Sequence, residues 1–396
     1  MTGPPTGRPP RRTRSLPLRV AVAVVAMAGV LAGAGGAGAA VPAPEIALRL
    51  PLATSLPSSS GTWASVPMGH LDQPLDTFWQ LFLLRGGTGN WSNHAGQLGI
   101  ATNGGLVLAA TADGPLVVAT RPSNLLEYSA MVTTATGGVW TPAPPVDGAT
   151  SALAVDLAGE TLALVADRRG GRVAVDRPGG GWRTLVTARS LRSAGAGRSC
   201  RPTQLTAVAI GASGTPFVGA SCGRPGVAGV LARRDGTWQA AGPTLPGAQR
   251  HSQIEVLSLR SAGAALEGLF ASVSHRTTSL EYGWTGSGGR WELSSDLVLG
   301  SGDRVLSIGP GPGSGEFVLL RSGAGDNLAV LDPPRRTWAA LPDPPAGTST
   351  VAFSGGRVDA LAVADTVMTD WLLDPASSGW TRHQVVHVGI LFGSSQ

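Results

Sequence analysis

From Thr62 onward the chain consists of short apolar or alternating apolar and polar runs separated by Gly, Pro, Asp or Ser, the pattern of β-strands joined by tight turns. Before Trp182 the runs are 151–157, 161–166 and 172–176; before Trp338 they are 304–309, 316–321 and 327–332; before Trp380 they are 350–354, 358–363 and 371–374. With the strand that carries the tryptophan, each unit holds four strands. A lone four-stranded sheet of this size cannot cover both its faces, so the units are expected to stack on one another.

Tryptophan sets the period. Seven of the eleven, Trp91, Trp140, Trp182, Trp238, Trp291, Trp338 and Trp380, stand at or just after a Gly-rich or polar turn. Examples are Thr136-Gly137-Gly138-Val139-Trp140 and Asp235-Gly236-Thr237-Trp238. Successive gaps of 49, 42, 56, 53, 47 and 42 residues fit repeats with loops of variable length, at the period of propeller blades. An aromatic that recurs once per blade is expected in the blade-to-blade core. The pieces left at the ends, 62–67 with 76–84 before Trp91 and 385–392 after Trp380, read as parts of one further sheet. Sharing that sheet between the termini would leave no open edge. The expected fold is all-β: a seven-bladed β-propeller over residues 62–396, closed by strands from both termini, with six or eight blades as alternatives. The Pro- and Ser-rich segment 40–61 is expected to be a linker or a surface arm.

Leu331-Asp332-Pro333-Pro334-Arg335-Arg336-Thr337-Trp338 followed by Leu341-Pro342, and Leu373-Asp374-Pro375 ahead of Trp380, resemble the end of a kelch repeat. Gly355-Gly356 resembles the double glycine of that repeat. Thr133-Thr134-Ala135-Thr136-Gly137-Gly138-Val139-Trp140 is similar to the Asp-box (BNR) repeat of sialidase-like propellers, with Ala135 in place of the aspartate. The likeness covers most of 62–392 at the level of blades.

Composition narrows the reading. The 57 Gly and 30 Pro disfavour a helical bundle. The formal charge of +5 would suggest a polyanion, but Arg8, Arg11, Arg12, Arg14 and Arg19 all precede the first acidic residue, Glu45. The chain beyond Arg19 carries 25 basic and 25 acidic residues, so no nucleic-acid partner is expected. Every basic residue is Arg, which with the Ala, Gly and Pro excess reads as the codon bias of a GC-rich bacterial genome. Residues 1–39 have the parts of a cleaved secretory signal: an Arg-rich start, an apolar run at 20–31 and Ala37-Gly38-Ala39. That run is shorter than the roughly 20 residues that span a bilayer. No cysteine comes after it to carry a lipid, so a secreted monomer without a stable membrane anchor is expected.

The two cysteines, Cys200 and Cys222, flank the runs 204–210 and 215–220, which are joined by Gly211-Ala212-Ser213-Gly214. A hairpin would bring them together, and an oxidising compartment permits a disulfide. Structural zinc wants four ligands, so no metal is expected, nor any cofactor.

The Asp-box resemblance raises sialidase chemistry, which needs a tyrosine nucleophile, a glutamate to activate it and arginines to hold a carboxylate. Each of the two tyrosines directly follows a glutamate, in Glu127-Tyr128 and Glu281-Tyr282. Neighbours on a strand face opposite ways, so neither adjacent pair is the activated couple, although a glutamate from a distant blade could reach one of them. The Arg-Ile-Pro signature of that family is absent, because Arg85 is followed by Gly86-Gly87. His383 and His387 would suit a metal on a helix, but Gln384-Val385-Val386 between them reads as strand. The run 309–315 lacks the Lys and Ser/Thr of a phosphate loop and reads as a hairpin connection. Trp63, Trp79, Trp284 and Trp371 lie outside the repeat, and an exposed aromatic site would be sought among them, core packing being favoured. No catalytic residue is singled out. The expected function is an extracellular protein- or glycan-binding scaffold; the alternative is a sialidase-like glycoside hydrolase or lyase with a loop-built site in the central channel.

Overall fold

The computed structural model describes residues 52–389 apart from 71–76, 88, 101, 112–114, 122–127, 135–138, 247–249, 275–276, 287–288 and 375–377. The expected signal sequence and the last seven residues lie outside the described residues. Seven antiparallel sheets succeed one another along the chain, at 54–93, 106–147, 149–187, 202–240, 253–293, 304–341 and 348–387, here blades 1 to 7. Each is a meander of four strands, and blade 5 adds a short strand, Leu297–Leu299, to its third.

The middle strands show why these sequences fold this way. Thr161–Ala166 is buried at five successive positions because a neighbouring blade covers each of its faces. Alternation divides its side chains between the two seams: Leu162 and Leu164 pack toward blade 4, Ala163 and Val165 toward blade 2. The outermost strands see one neighbour and water, and Thr337–Leu341 is accordingly exposed or half-buried throughout. Every seam has its own apolar cluster, including the seam between blades 7 and 1, where Val66, Met68 and Phe82 meet Ala352, Leu361 and Met368.

The recurring tryptophans are seam residues with a second task. The indole N–H of Trp182 donates to the carbonyl of Pro144, that of Trp291 to Ala241, that of Trp338 to Ser295 and that of Trp380 to Pro342. Each acceptor lies in, or just after, the fourth strand of the preceding blade. Trp91 makes the corresponding contact across the last seam with the Asp359 carboxylate. Trp140 instead packs edge-on against Trp63, and the Trp238 indole bonds no described residue.

Two expectations about the ends are corrected. The ring closes by packing blade 7 against blade 1, not by a shared sheet, since blade 1 is built wholly from 54–93 and blade 7 wholly from 348–387. Residues 385–387 continue the strand Gly379–His387 instead of starting another. The missing first strand of blade 1 is Thr54–Ser58, inside the segment expected to be a linker. Its serines are strand residues: the Ser55 hydroxyl makes a buried bond to the Val351 carbonyl of blade 7, and Ser307 of blade 6 donates to the Ala53 carbonyl. Ala53 also bridges Ser307 in parallel, and Leu56 packs toward blade 2. The segment 53–56 therefore crosses the zone on which the innermost strands converge.

Candidate functional site

The structure assembles a tyrosine, two glutamates and an arginine at the seam between blades 5 and 6. Arg260, at the end of the first strand of blade 5, pairs in register with Glu267 on the second strand. Its Nε donates to Glu267 Oε2 at 2.6 Å, and its Nη2 to Tyr282 Oη at 2.8 Å and to the Gly315 carbonyl at 2.7 Å. Nη1 lies 2.6 Å from Glu316 Oε2 of blade 6, an ion pair without the alignment of a directed hydrogen bond. Tyr282 is 1% exposed, Glu267 4% and Glu316 2%. Burial, opposed by Arg260 and reinforced by Glu267, pushes the Glu316 carboxyl up to about 7. Burial likewise drives the Tyr282 phenol far above its ordinary value, so it stays protonated. As expected, the partner of Tyr282 is not Glu281, which lies on the opposite face; the glutamates come from the preceding strand and from the next blade. Glu127 and the side chain of Tyr128 lie outside what is described.

A second charged cluster sits at the seam between blades 7 and 1. Arg357 pairs with Asp359 and, at 2.9 Å, with Asp370, and donates to the Gly89 carbonyl at 2.9 Å. Both aspartates are wholly buried. Burial, together with the neighbouring Asp359, pushes Asp370 up to about 8. His383 is the extra residue of a β-bulge between the pairs Asp370↔Gln384 and Trp371↔Arg382, and its Nδ1 lies 3.1 Å from Asp370 Oδ2. His387 is exposed at the end of the same strand, and the two histidines do not converge. Among the described residues no cluster of three or more His, Cys, Asp or Glu could hold a metal ion.

Cys200 and Cys222 form a disulfide. It joins the open end of the hairpin Pro202–Ile210 and Pro216–Cys222 to a short helix, Gly197–Cys200, preceded by the helix Ala188–Ser193. This helical insert fills the longest gap between recurring tryptophans. Gly229 packs against the sulfurs: a Cβ there would stand 2.7 Å from Cys222 Sγ and 2.2 Å from the Ala220 carbonyl.

The same seam, between blades 3 and 4, opens on its other side into a cleft of about 260 Å³. Glu160, Val175, Arg177, Arg183 and Leu185 line it from blade 3, and Gly214, Pro216, Arg233 and Gly236 from blade 4. Arg177 Nε pairs with Glu160 Oε2 at 2.6 Å. The run 309–315 is a hairpin connection, containing the single turn Pro312–Ser314. Trp63 and Trp79 are core residues, and Trp284 lies beneath the Arg336 guanidinium, 5.7 Å from ring centroid to Cζ.

Neither a family model nor a curated protein sequence matches this chain. Solved structures do. A putative 6-phosphogluconolactonase from Bacteroides uniformis is 11% identical with a TM-score of 0.52, covering 82% of this chain and 96% of its own. A periplasmic gluconolactonase of Pseudomonas aeruginosa is 15% identical with a TM-score of 0.50, covering 83% and 96%. A lectin of the fungus Aleuria aurantia, a six-bladed propeller with a fucose recognition mode, is 11% identical with a TM-score of 0.42, covering 86% and 96%. At such identities the likeness is one of fold. The chain is a seven-bladed β-propeller whose structural neighbours include enzymes and binding proteins, and neither the kelch nor the Asp-box type is singled out.

Proposed function

We propose that this chain is a secreted, non-catalytic β-propeller that binds an extracellular protein or glycan as a monomer. One observation carries the reading: among the described residues, the tyrosine, glutamates and arginine that a sialidase-like reaction would call on stand together only as a strut between blades 5 and 6 whose phenol and carboxylates are buried. A nucleophile must meet its substrate, and a phenol with 1% of its surface exposed does not. The segment 53–56, which opens the first strand of blade 1, bonds the first strands of blades 6 and 7. No helix among the described residues is long and apolar enough to cross a membrane, and the disulfide accords with an oxidising compartment. Export through cleavage near Ala39 belongs to the same proposal and is checked by sequencing the mature N-terminus.

The function is tested by incubating the purified protein with fluorogenic sialosides and a glycan panel, read for turnover and for retention. Retention without hydrolysis is the expected result. Hydrolysis abolished by substituting a Glu, Asp or Tyr would replace this reading with the glycosidase alternative.

A further inference from the structure

The seam between blades 3 and 4 differs from its neighbours in two independent ways. The indole-to-carbonyl bond that ties blade 3 to 2, 5 to 4, 6 to 5 and 7 to 6 is missing here, because the Trp238 indole bonds no described residue. Arg233 stands directly across from Trp238 in register, and the cleft opens beside this pair.

The second difference is charge. At other seams arginines meet carboxylates, Arg260 with Glu267 and Glu316, Arg336 with Glu292, and Arg357 with Asp359 and Asp370, whereas single arginines such as Arg304 and Arg382 pair with none among the described residues. Within the cleft only Arg177 does so, with Glu160; Arg183 and Arg233 bond no carboxylate among the described residues. Three guanidinium groups thus face one carboxylate, on a chain whose charges balance beyond the Arg-rich start. A guanidinium presents a planar fork of donors that fits the paired oxygens of a carboxylate, sulfate or phosphate. The same cleft is lined by the apolar side chains of Val175, Leu185 and Pro216, which suit the apolar face of a sugar ring. The volume of about 260 Å³ is just below the ~300–1,000 Å³ of drug-sized pockets, which fits a single sugar residue.

We infer that this cleft is a ligand site for an acidic sugar, whose oxyanion is held between Arg183 and Arg233 while its ring lies on Val175, Leu185 and Pro216. The inference rests on the binding reading and names its ligand class. The oxyanion could come from a uronate or from a sugar sulfate or phosphate ester, and the choice of probes separates them.

The experiment is calorimetric titration of the full secreted chain with glucuronate, glucose 6-sulfate, glucose 6-phosphate and glucose. At least one acidic sugar should bind about tenfold more tightly than glucose, with affinity falling as salt is raised. The stronger acidic ligand identifies the source of the oxyanion. Arg183→Gln with Arg233→Gln should lower that affinity about tenfold or more, the worth of one or two charge-assisted hydrogen bonds. Glu160→Gln releases Arg177 from its partner and should raise affinity several-fold, which mere damage to the fold would not do. Equal binding of glucose, affinity unmoved by the double variant, weaker binding in Glu160→Gln, or no saturation at about 10 mM of any acidic sugar would each overturn the inference. A neutral glycan retained equally by the wild type and the double variant would sink the cleft while leaving the binding reading intact. Hydrolysis of a glycan would sink that reading instead.

Discussion

At the seam between blades 5 and 6, one arginine stands between carboxylates of different blades; at the seam between blades 7 and 1, one arginine stands between two carboxylates of the same blade. The framework positions correspond. Glu267 and Asp359 are each the third residue of their blade's second strand, and two residues further on Leu269 and Leu361 pair with Tyr282 and Asp370. What differs is the group that crosses the seam. Arg260 reaches Glu316 of the next blade, so the charge itself ties blade 5 to 6. Arg357 keeps its carboxylates at home, and blade 1 is held by neutral donors and acceptors: the Trp91 indole on Asp359, the Gln384 amide on the Trp91 backbone, and the Gly89 carbonyl. Both seams share one arithmetic, a single positive charge facing two carboxyls, so each favours retaining a proton. The fold thus tolerates buried charge at this height of a blade but specifies neither the partner nor the route across the seam.

Removing the arginines gives the largest effect. Arg260→Met strands two glutamates in the seam and should cost about 3–5 kcal/mol in urea unfolding, the usual penalty for breaking a buried pair. Arg357→Met should cost somewhat less, because Asp370 already holds its proton readily and the neutral bonds to blade 1 through Gln384 survive. Replacing Arg260, Glu267 and Glu316 together by Met, Leu and Leu should recover most of the loss, since an apolar seam avoids the desolvation of ions. Equal losses for the two single variants would show that the route across the seam is immaterial.

Next comes pH. Glu316 and Asp370 both have folded-state pKa values raised by burial, to about 7 and about 8. The native state therefore binds more protons than the unfolded chain from about pH 4 upward. The stability contributed by these groups is complete below that point and is lost as pH rises through 7 and 8. The urea midpoint should fall between pH 5 and pH 9. Glu316→Gln should make the decline below about pH 7 shallower, and Asp370→Asn should do the same and also remove the part between about pH 7 and pH 8. A wild-type midpoint that does not fall over this range would mean that both groups ionise inside the fold without cost.

Legibility in the sequence split along the same divide between pattern and partnership. Runs such as 161–166 and 316–321 are strands because both faces are covered, and covered strands are written as continuous apolar residues. The recurring tryptophans marked the seams because each packs against the cluster between two blades, although their indole N–H groups find different partners. The first strand, Thr54–Ser58, was hidden by its own chemistry: near the axis small hydroxyls bond neighbouring blades, and Ser and Pro there look like a linker. The short helices Ala188–Ser193 and Gly197–Cys200 were announced only by the long gap and by Thr187 and Ser190, which form a capping box. The charged clusters were not readable, because Glu316 reaches Arg260 across 56 positions and Trp91 meets Asp359 across 268; nothing local records such pairings. The cleft likewise depends on Arg177, Arg183 and Arg233 meeting from two blades.

The smallest effect separates two further members of these clusters, Tyr282 and His383. The Tyr282 hydroxyl accepts from Arg260 and hydrogen-bonds Glu267, and the tyrosine itself is buried. Tyr282→Phe keeps the ring and removes only that hydroxyl, so it should cost about 1–2 kcal/mol, the penalty of leaving buried partners short of one bond. His383 reaches Asp370 from a side chain that is 31% exposed, and water can take its place. His383→Ala should therefore cost about half a kcal/mol or less, within the range of surface changes. Neither variant should alter retention of whatever glycan or protein the propeller binds, because neither side chain lines the cleft. The informative reversal is Tyr282→Phe with unchanged unfolding but lost retention or lost turnover. That outcome would place the phenol in contact with a ligand, and the seam between blades 5 and 6 would then have to open in solution.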